Sequence, residues 1–193
     1  MDIHTQLFEG QLICLAPIDH EKDPEIMARW TNHPEYLRML NPEPARPLSV
    51  AQMKKKLEKI EKDVDESKNS FYFTIRTRAT DRLVGFAHIH WIEWSQGIGN
   101  LTLGISEAAD RRHGYGCEAL RLLLHYYFSE LNLYRLSVQV AEYNTAALGL
   151  FQKLGFVEEV RRRQALNRDG RRWDMLHLGL LRDEWFEKSK GGL

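Results

Sequence analysis

Three apolar runs in the middle of the chain alternate with polar residues and are separated by short polar segments. They are SFYFTIR at 70–76, RLVGFAHIHWIEW at 82–94 and NLTLGIS at 100–106. Alternation with a period of two places successive side chains on opposite faces of a strand. Short connections such as RATD at 78–81 join antiparallel neighbours. The sequence therefore predicts an antiparallel meander, which commits the centre of the chain to a sheet.

Helices and strands are mixed on either side of the meander. Before it we predict a strand at 12–18, a helix over roughly 21–31, a proline-rich loop at 42–47, and a helix that begins with a capping box at Ser49–Gln52. After it we predict a helix to about Leu131, a strand at 134–142, a helix at 144–156, and strands at roughly 157–166 and 172–181. This order is typical of an α/β (α+β) domain with one largely antiparallel sheet.

Composition narrows the class of protein. The 193 residues suit one domain, 1–193, with a sizeable core, and 43% of them are hydrophobic. The 27 basic and 27 acidic residues balance, which argues against nucleic acid as the main partner. No apolar run approaches the roughly 20 residues that span a bilayer, so no membrane partner is expected. Two distant cysteines, Cys14 and Cys117, and the lack of a signal-like N-terminus favour a cytoplasmic location.

The stretch DRRHGYGCEAL at 110–120 places two glycines at the start of a predicted helix. Each glycine costs about 1 kcal/mol relative to alanine inside a helix, so these positions need a reason. Helix N-termini expose unpaired N–H groups and partial positive charge, and glycine lets an anion approach the backbone closely. Arg111 and Arg112 would add charge-assisted contacts. The pattern indicates a pyrophosphate site.

Other interpretations of this loop remain open. It could be a turn that happens to contain glycine, although that leaves the arginines unexplained. A Walker A loop is excluded because no Gly-Lys-Ser/Thr follows. GYGCEA at 114–119 also matches the dinucleotide fingerprint G-x-G-x-x-A, with Glu142 as a candidate ribose-binding acid. Against that, Glu107–His113 separate the preceding strand from the first glycine, and a meander rather than a βαβ unit precedes the loop.

Two spaced motifs resemble one family. RRHGYG at 111–116 is similar to the Q/R-x-x-G-x-G/A signature of the GNAT superfamily of acetyl-CoA-dependent N-acetyltransferases, and NTAALGLFQKLGF at 144–156 is similar to its N-x-x-A-x-x-L-Y-x-K-x-G-F segment. The segments RWTNHP at 29–34 and WDMLHLGLLRDEW at 173–185 resemble the branch of ribosomal-protein N-terminal (Rim-type) and spermidine acetyltransferases. The resemblance implies a GNAT-like fold. Its mixed, mostly antiparallel sheet has about seven strands, flanked by about four helices and splayed between strands 100–106 and 134–142.

The resemblance also implies which residues hold acetyl-CoA. The pantetheine arm would pair with the backbone at Ile105 and Ser106, in the gap between the splayed strands. Asn144 would contact acetyl-CoA from the other side. The pyrophosphate would bind the backbone of the glycine loop and the start of the helix, at Arg111, Arg112, His113, Gly114, Tyr115, Gly116 and Cys117.

The family's catalytic residues do not carry over. The tyrosine that protonates the thiolate in relatives falls at Phe151, the serine used by others at Ala147, and the strand carboxylate near Asn100. Substitutes are His88 and His90, two apart on one side of a strand, and Tyr143 as a proton donor. A metal site at the His-x-His pair lacks a third ligand at a suitable spacing, so no metal is expected.

These observations lead to an N-acetyltransferase that moves acetyl from acetyl-CoA to a protein N-terminus, a polyamine or another small amine. A polyamine would need several carboxylates, and the sequence offers Glu35, Glu43, Glu93 and Asp174. The missing acid and base leave an alternative, a catalytically degenerate domain that binds acetyl-CoA as a sensor or scaffold. A homodimer is expected from the resemblance alone.

Overall fold

A single seven-stranded sheet organises the chain in the computed structural model, which describes residues 6–190 and the side chains of residues 6–188. The strands are β1 (Ile13–Ala16), β2 (Phe71–Thr77), β3 (Leu83–Glu93), β4 (Ile98–Ile105), β5 (Arg135–Ala141), β6 (Val157–Arg168) and β7 (Arg171–Leu181). The helices are α1 (Asp23–Trp30), α2 (Pro34–Leu40), α3 (Val50–Ser67), α4 (Tyr115–His125), α5 (Thr145–Lys153) and α6 (Arg182–Lys190). The strand order is β1-β2-β3-β4-β5-β7-β6, and β4–β5 is the parallel pair among antiparallel ones.

The predicted meander is confirmed as β2, β3 and β4. Ile89 faces Phe71 on one side and Leu101 on the other, so the alternation found in the sequence continues across all three strands. One irregularity falls between His90 and Glu93, where Trp91 adopts a φ of 53°. This bulge leaves Trp91 exposed at 70% immediately after His90.

The predicted splay between strands 100–106 and 134–142 is also confirmed. β4 and β5 pair only at Ile98↔Arg135, Gly99↔Leu136 and Asn100↔Ser137, and then separate. The joined end is fastened by the carbonyl of Gly97, which accepts hydrogen bonds from the backbone N–H groups of Tyr134 and Arg135. Beyond Asn100, the β4 backbone therefore has a free edge that faces β5 across a gap.

Six helices flank the sheet where about four were expected. The sequence interpretation ended a helix near Asn32-His33-Pro34, but Pro34 is the first residue of α2. Proline is favoured at that position because its missing N–H would have no intrahelical partner there. The C-terminal α6 was not counted either. The capping box was predicted correctly, since the Ser49 hydroxyl accepts from the N–H of Gln52 and the Gln52 side chain accepts from the N–H of Ser49.

Apolar residues cover both faces of the sheet. On one face, α4 and α5 bury Leu120, Leu123, Leu124 and Phe151 against the strands. On the other face, α1, α2 and α3 bury Met27, Trp30, Tyr36 and Leu57 over Tyr72 and Phe86 of β2 and β3. Within residues 6–190, no helix is both long enough and apolar enough to cross a membrane.

The dinucleotide alternative does not fit this architecture. The strand before the glycine loop, β4, lies next to an antiparallel β3, and a 3-10 turn at Ala108–Asp110 separates it from Gly114. A dinucleotide fingerprint instead requires a tight turn directly after a strand of a parallel βαβ unit. Glu142, the candidate ribose-binding acid, accepts a hydrogen bond from the N–H of Asp174 on β7.

Candidate active site

Two cavities meet where β4 and β5 separate. The first, which we call the loop cleft, has a volume of about 520 Å³ and lies between the glycine loop, the end of β4 and α5. The second, the split cavity, has about 340 Å³ and reaches from β3 and β4 across the gap to β5 and β7. Both cavities are lined by Met39, Leu40, Leu103, Tyr143, Asn144 and Ala147. The shared wall places the two cavities next to each other at the gap between β4 and β5.

The glycine loop presents unpaired backbone donors at the mouth of the loop cleft. Gly114 caps α4 with a φ of 89°, a conformation that residues with a Cβ rarely adopt. The N–H groups of Tyr115, Gly116 and Cys117 open the helix, and none has an acceptor among the residues that the structure describes. The helix dipole adds partial positive charge at the same place. The local structure therefore suits an anion.

The two arginines of the loop differ in their surroundings. The Arg111 guanidinium donates to Glu35 Oε1 on α2 at 2.9 Å and to the Ser106 carbonyl at 3.2 Å. Arg112 has a φ of 65° and is exposed, and no described side chain forms an ion pair with it. Both residues line the loop cleft. Arg112 is thus an available cation, whereas Arg111 ties the loop to α2.

The structure brings together most of the residues that the sequence nominated for the cofactor. Seven of them line the loop cleft: Ile105, Arg111, Arg112, Gly114, Gly116, Cys117 and Asn144. Ser106, His113 and Tyr115 do not line it. Ser106 directs both its N–H and its hydroxyl to the Val84 carbonyl, each at 3.0 Å. The rings of His113 and Tyr115 lie 6.0 Å apart, outside the cavity.

Residues 143 and 144 tie the start of α5 to the end of α2. The Asn144 side chain accepts from the N–H of Ala147 at 3.1 Å and donates to the Met39 carbonyl at 3.0 Å. The Tyr143 hydroxyl donates to the Arg38 carbonyl at 2.7 Å. The end of α2 is consequently held against the gap and forms one wall of both cavities, which we call the roof of the gap. Its contribution was missed from the sequence, because the helix itself was not predicted.

Glu118 is a second residue that the sequence reasoning passed over. Its carboxylate, in the first turn of α4, accepts the N–H groups of Gln11, Leu12 and Ile13 at 2.7 to 2.8 Å. Three amides compensate the charge of this acid in the first turn of α4. An acidic residue in a first helical turn is a sequence signal for such a contact.

The two histidines of β3 lie on the same face, with ring centroids 4.9 Å apart. His90 lines the split cavity, and its Nε2 is 3.1 Å from Thr102 Oγ1. His88 does not line the split cavity, and its Nε2 is 3.0 Å from Ser70 Oγ. Burial lowers the pKa of His90, and burial together with the charges of His90 and Lys56 lowers the pKa of His88 to about 4. Both imidazoles are therefore neutral at pH 7.

The three positions to which the family resemblance assigns catalytic groups all line the split cavity. Asn100, Ala147 and Phe151 line it, and none of them can exchange a proton there. No Asp or Glu lines the split cavity, so His90 and Tyr143 are its titratable side chains besides Arg38. Among the described residues, no group of three His, Cys, Asp or Glu side chains could hold a metal ion.

Comparison with known proteins yields one family. Residues 13–157 match the family model described as an acetyltransferase (GNAT) domain. The uncharacterized N-acetyltransferase p20 of Bacillus licheniformis is 26% identical over 175 residues, which cover 89% of this chain and 83% of that protein.

Solved structures agree in fold. A spermidine N-acetyltransferase from Vibrio cholerae, in complex with CoA and spermine, superposes with a TM-score of 0.77 at 19% identity, over 92% of this chain and 99% of that one. A putative ribosomal-protein-serine acetyltransferase from Vibrio cholerae gives 0.74 at 20% identity, over 94% and 99%. Identities this low show the fold alone.

Proposed function

The chain belongs to the GNAT acetyltransferase family and is an acyltransferase, and from that premise we propose that it transfers acetyl from acetyl-CoA to a primary amine by direct attack. The observation that carries the proposal is that two cavities adjoin at the interrupted strand pair. A cleft with unpaired backbone donors lies on one side of a shared wall beside the gap between β4 and β5, and a second cavity lies on the other side of that wall. Two substrates can meet at such a gap.

The loop cleft fits the phosphate end of acetyl-CoA. We assign the pyrophosphate to the N–H groups of Tyr115, Gly116 and Cys117, assisted by Arg112. A methyl group built on Gly116 would meet Ile105 and Leu150 at 3.5 and 3.6 Å, which are ordinary contact distances, so the packing of the protein itself does not require glycine at this position. His113, Gly114 and Arg111 complete the proposed loop, and Asn144 the opposite wall. When bound, the coenzyme supplies the acetyl group as an activated thioester.

The free edge of β4 fits the pantetheine arm. Beyond Asn100 its backbone lacks a partner on the β5 side, and an extended ligand with amide groups can pair with such an edge. Ile105 lines the cleft at this edge, whereas Ser106 has its own N–H committed to Val84. The Ser106 N–H is therefore not available as a donor to the pantetheine arm, and Ser106 would only help to shape the end of the β4 edge.

His90 is the proposed base. A neutral imidazole that lines the split cavity can accept a proton from the attacking amine. The ring of His88 packs beside it, with centroids 4.9 Å apart, and is hydrogen-bonded with Ser70. Tyr143 lines both cavities and is the proposed donor to the departing sulfur. Its hydroxyl now donates to the Arg38 carbonyl, a bond that it must exchange for the sulfur.

A catalytically degenerate acetyl-CoA sensor is the second candidate. Asn100, Ala147 and Phe151 at the usual catalytic positions favour it. An assay for the release of free thiol from acetyl-CoA in the presence of amines distinguishes the acetyltransferase from the sensor. The proposal expects amine-dependent release that slows in a Tyr143→Phe variant. Tight binding of acetyl-CoA, without release in the presence of any amine, would contradict the enzyme and support the sensor.

Three further expectations belong to the proposal. The whole chain would act as one acetyltransferase domain. The free thiols of Cys14 and Cys117 support a reducing cytoplasm as its location. A homodimer is proposed on the family resemblance, and the edge strand β6, which is exposed from Val157 to Ala165, leaves a surface for it.

A further inference from the structure

The split cavity opens beside the hairpin formed by β6 and β7. Leu166 and Met175 line the cavity, and Trp173 packs edge-on against Tyr143 with ring centroids 5.5 Å apart. The strand register pairs Arg162 with Met175, and Arg168 with Arg171. Because paired residues project from the same face of a sheet, these three arginines lie on the face that carries the cavity.

Arg38 completes a cationic border that we call the arginine rim: Arg38, Arg162, Arg168 and Arg171. Arg38 belongs to α2 and lines the cavity from the side opposite the sheet. Its guanidinium lies 3.6 Å from Asp169 at the tip of the hairpin. The rim therefore joins the roof of the cavity to the hairpin beside it.

Most of the charge of the rim is not neutralised. Asp169 is the carboxylate that pairs with a rim residue. Arg168 donates to the backbone carbonyls of Pro42 and Glu43, which are neutral acceptors. The Arg171 guanidinium lies 4.0 Å from the centre of the Trp173 ring. Arg162 is exposed and has no ion-pair partner within the described part of the chain.

The acids nominated for a polyamine site lie elsewhere. Glu35 is bound to Arg111 beside the loop cleft. Asp174 projects from the opposite face of β7 and is bound to Arg161. Glu43 and Glu93 are exposed, and neither lines either cavity. A polycation entering the split cavity would find no carboxylate on its walls and several arginines at its border.

We propose that the acceptor is an amine tethered to an anionic group, a carboxylate or a phosphate, with the amine in the split cavity and the anion at the arginine rim. Arginine forms strong, often bidentate hydrogen bonds with such anions, and a positive border raises their local concentration. This inference rests on the proposed acetyl transfer. The anion can belong to a small molecule or to an acidic peptide that begins with a free amine.

Matched acceptors test the inference through kcat/KM for thiol release. One pair is O-phosphoethanolamine and ethanolamine. The other pair consists of two peptides with the same first residue. In one peptide that residue is followed by Asp and Glu, and in the other by Lys. Spermidine is the polycationic comparator. We expect the anionic member of at least one pair to be preferred by roughly tenfold, the effect of one charged hydrogen bond. The pair that shows the preference identifies the source of the anion.

Variants of the rim separate a charge effect from a general defect. Arg162→Gln removes a cation without an ion-pair partner, so the fold is expected to persist. It should lower kcat/KM for the anionic acceptor and leave that for ethanolamine unchanged, and added salt should reduce the same preference in the unaltered protein. Arg172→Gln, one residue from Arg171 on the opposite face of β7, is the matched control and should behave like the unaltered protein.

The outcomes are distinct. Efficient acetylation of spermidine, or an anionic preference that survives both Arg162→Gln and Arg171→Gln, would overturn the inference while leaving acetyl transfer intact. Absence of thiol release with every amine would contradict the proposed function itself, and this inference with it.

Discussion

Asn100 and Ser137 form the last residue pair between β4 and β5 before the two strands separate. The shared wall of the two cavities follows immediately, at Leu103 on one strand and at Tyr143 and Asn144 after the other. The sheet is continuous on either side of the gap. In the proposed function, this interrupted strand pair is where the cofactor and the acceptor meet, and the glycine loop follows β4 after the 3-10 turn at Ala108–Asp110.

Gly116 offers the cleanest test of the glycine loop. The added methyl of Gly116→Ala meets the protein only at ordinary contact distances, and alanine favours a helix by up to about 1 kcal/mol. The fold should therefore be as stable or more stable. Affinity for acetyl-CoA, measured by calorimetry, should fall by about tenfold or more, because a methyl group holds the phosphate away from backbone donors.

Gly149→Ala is the matched control for that variant. Gly149 is also a helical glycine, and a methyl group there meets no atom within 4 Å. It lies in the middle of α5 and also lines the loop cleft, so Gly149→Ala controls for a methyl group added elsewhere in that cleft, and its affinity for acetyl-CoA should fall less than that of Gly116→Ala. Equal affinity in both variants would show that the loop does not bind the phosphates. Gly114→Ala is less informative, since a φ of 89° strains any other residue.

His90→Gln tests the proposed base. At neutral pH we expect kcat to fall about a hundredfold, with recovery at alkaline pH, where the amine is already deprotonated. In the unaltered protein, kcat/KM should decline as the pH falls below 6.5 towards the lowered pKa of His90, because the protonated ring cannot accept a proton. His20→Gln, at the surface beside Glu61, is the control. An unchanged rate in His90→Gln would exclude this residue as the base.

His88 makes the fold sensitive to acid. Its pKa of about 4 lies below the 6.5 of the unfolded chain, so the unfolded state binds the proton more readily. Stability should be fully present above pH 6.5 and should decline as the pH falls towards 4, by on the order of 3 kcal/mol. Urea denaturation across this range measures the slope. His88→Gln should flatten it, and a slope that persists in the variant would assign the acid sensitivity to other groups.

Asp23 and Arg76 form a buried ion pair that links α1 to β2. Their side chains meet at 2.5 Å, and the Asp23 side chain is 0% exposed. Asp23→Asn should cost about 3–5 kcal/mol, since it leaves Arg76 as an uncompensated buried cation. Glu25→Gln removes an exposed pair with Arg29 on the same helix and should cost well under 1 kcal/mol. Comparable losses of unfolding free energy in the two variants would show that burial of the pair is unimportant.

Local sequence patterns were sufficient to predict the meander, the start of α3 and the position of the glycine loop. Period-two alternation defined β2, β3 and β4, and Ser49 with Gln52 marked the start of α3. The same reasoning failed at Pro34, because a proline that ends one helix can also begin the next. Because α2 was not predicted, its residues that line the gap were not predicted either.

Residues of the candidate site could be nominated from the sequence mainly where they are contiguous. The loop from Arg111 to Cys117 could be located from glycine and arginine alone. Pairing of Arg111 with Glu35, and of Glu118 with the amides of residues 11–13, joins segments far apart in sequence. The arginine rim likewise depends on the register between β6 and β7, which is shifted by irregularities that composition does not encode.

The most direct test of the central claim is a calorimetric titration of the purified protein with acetyl-CoA, with NADH as the comparator. If the loop cleft and the gap between β4 and β5 form a coenzyme site, acetyl-CoA should bind with one-to-one stoichiometry and NADH should give no heat of binding. A folded protein that fails to bind acetyl-CoA, or that binds NADH instead, would contradict the assignment of the glycine loop and the proposed function that depends on it.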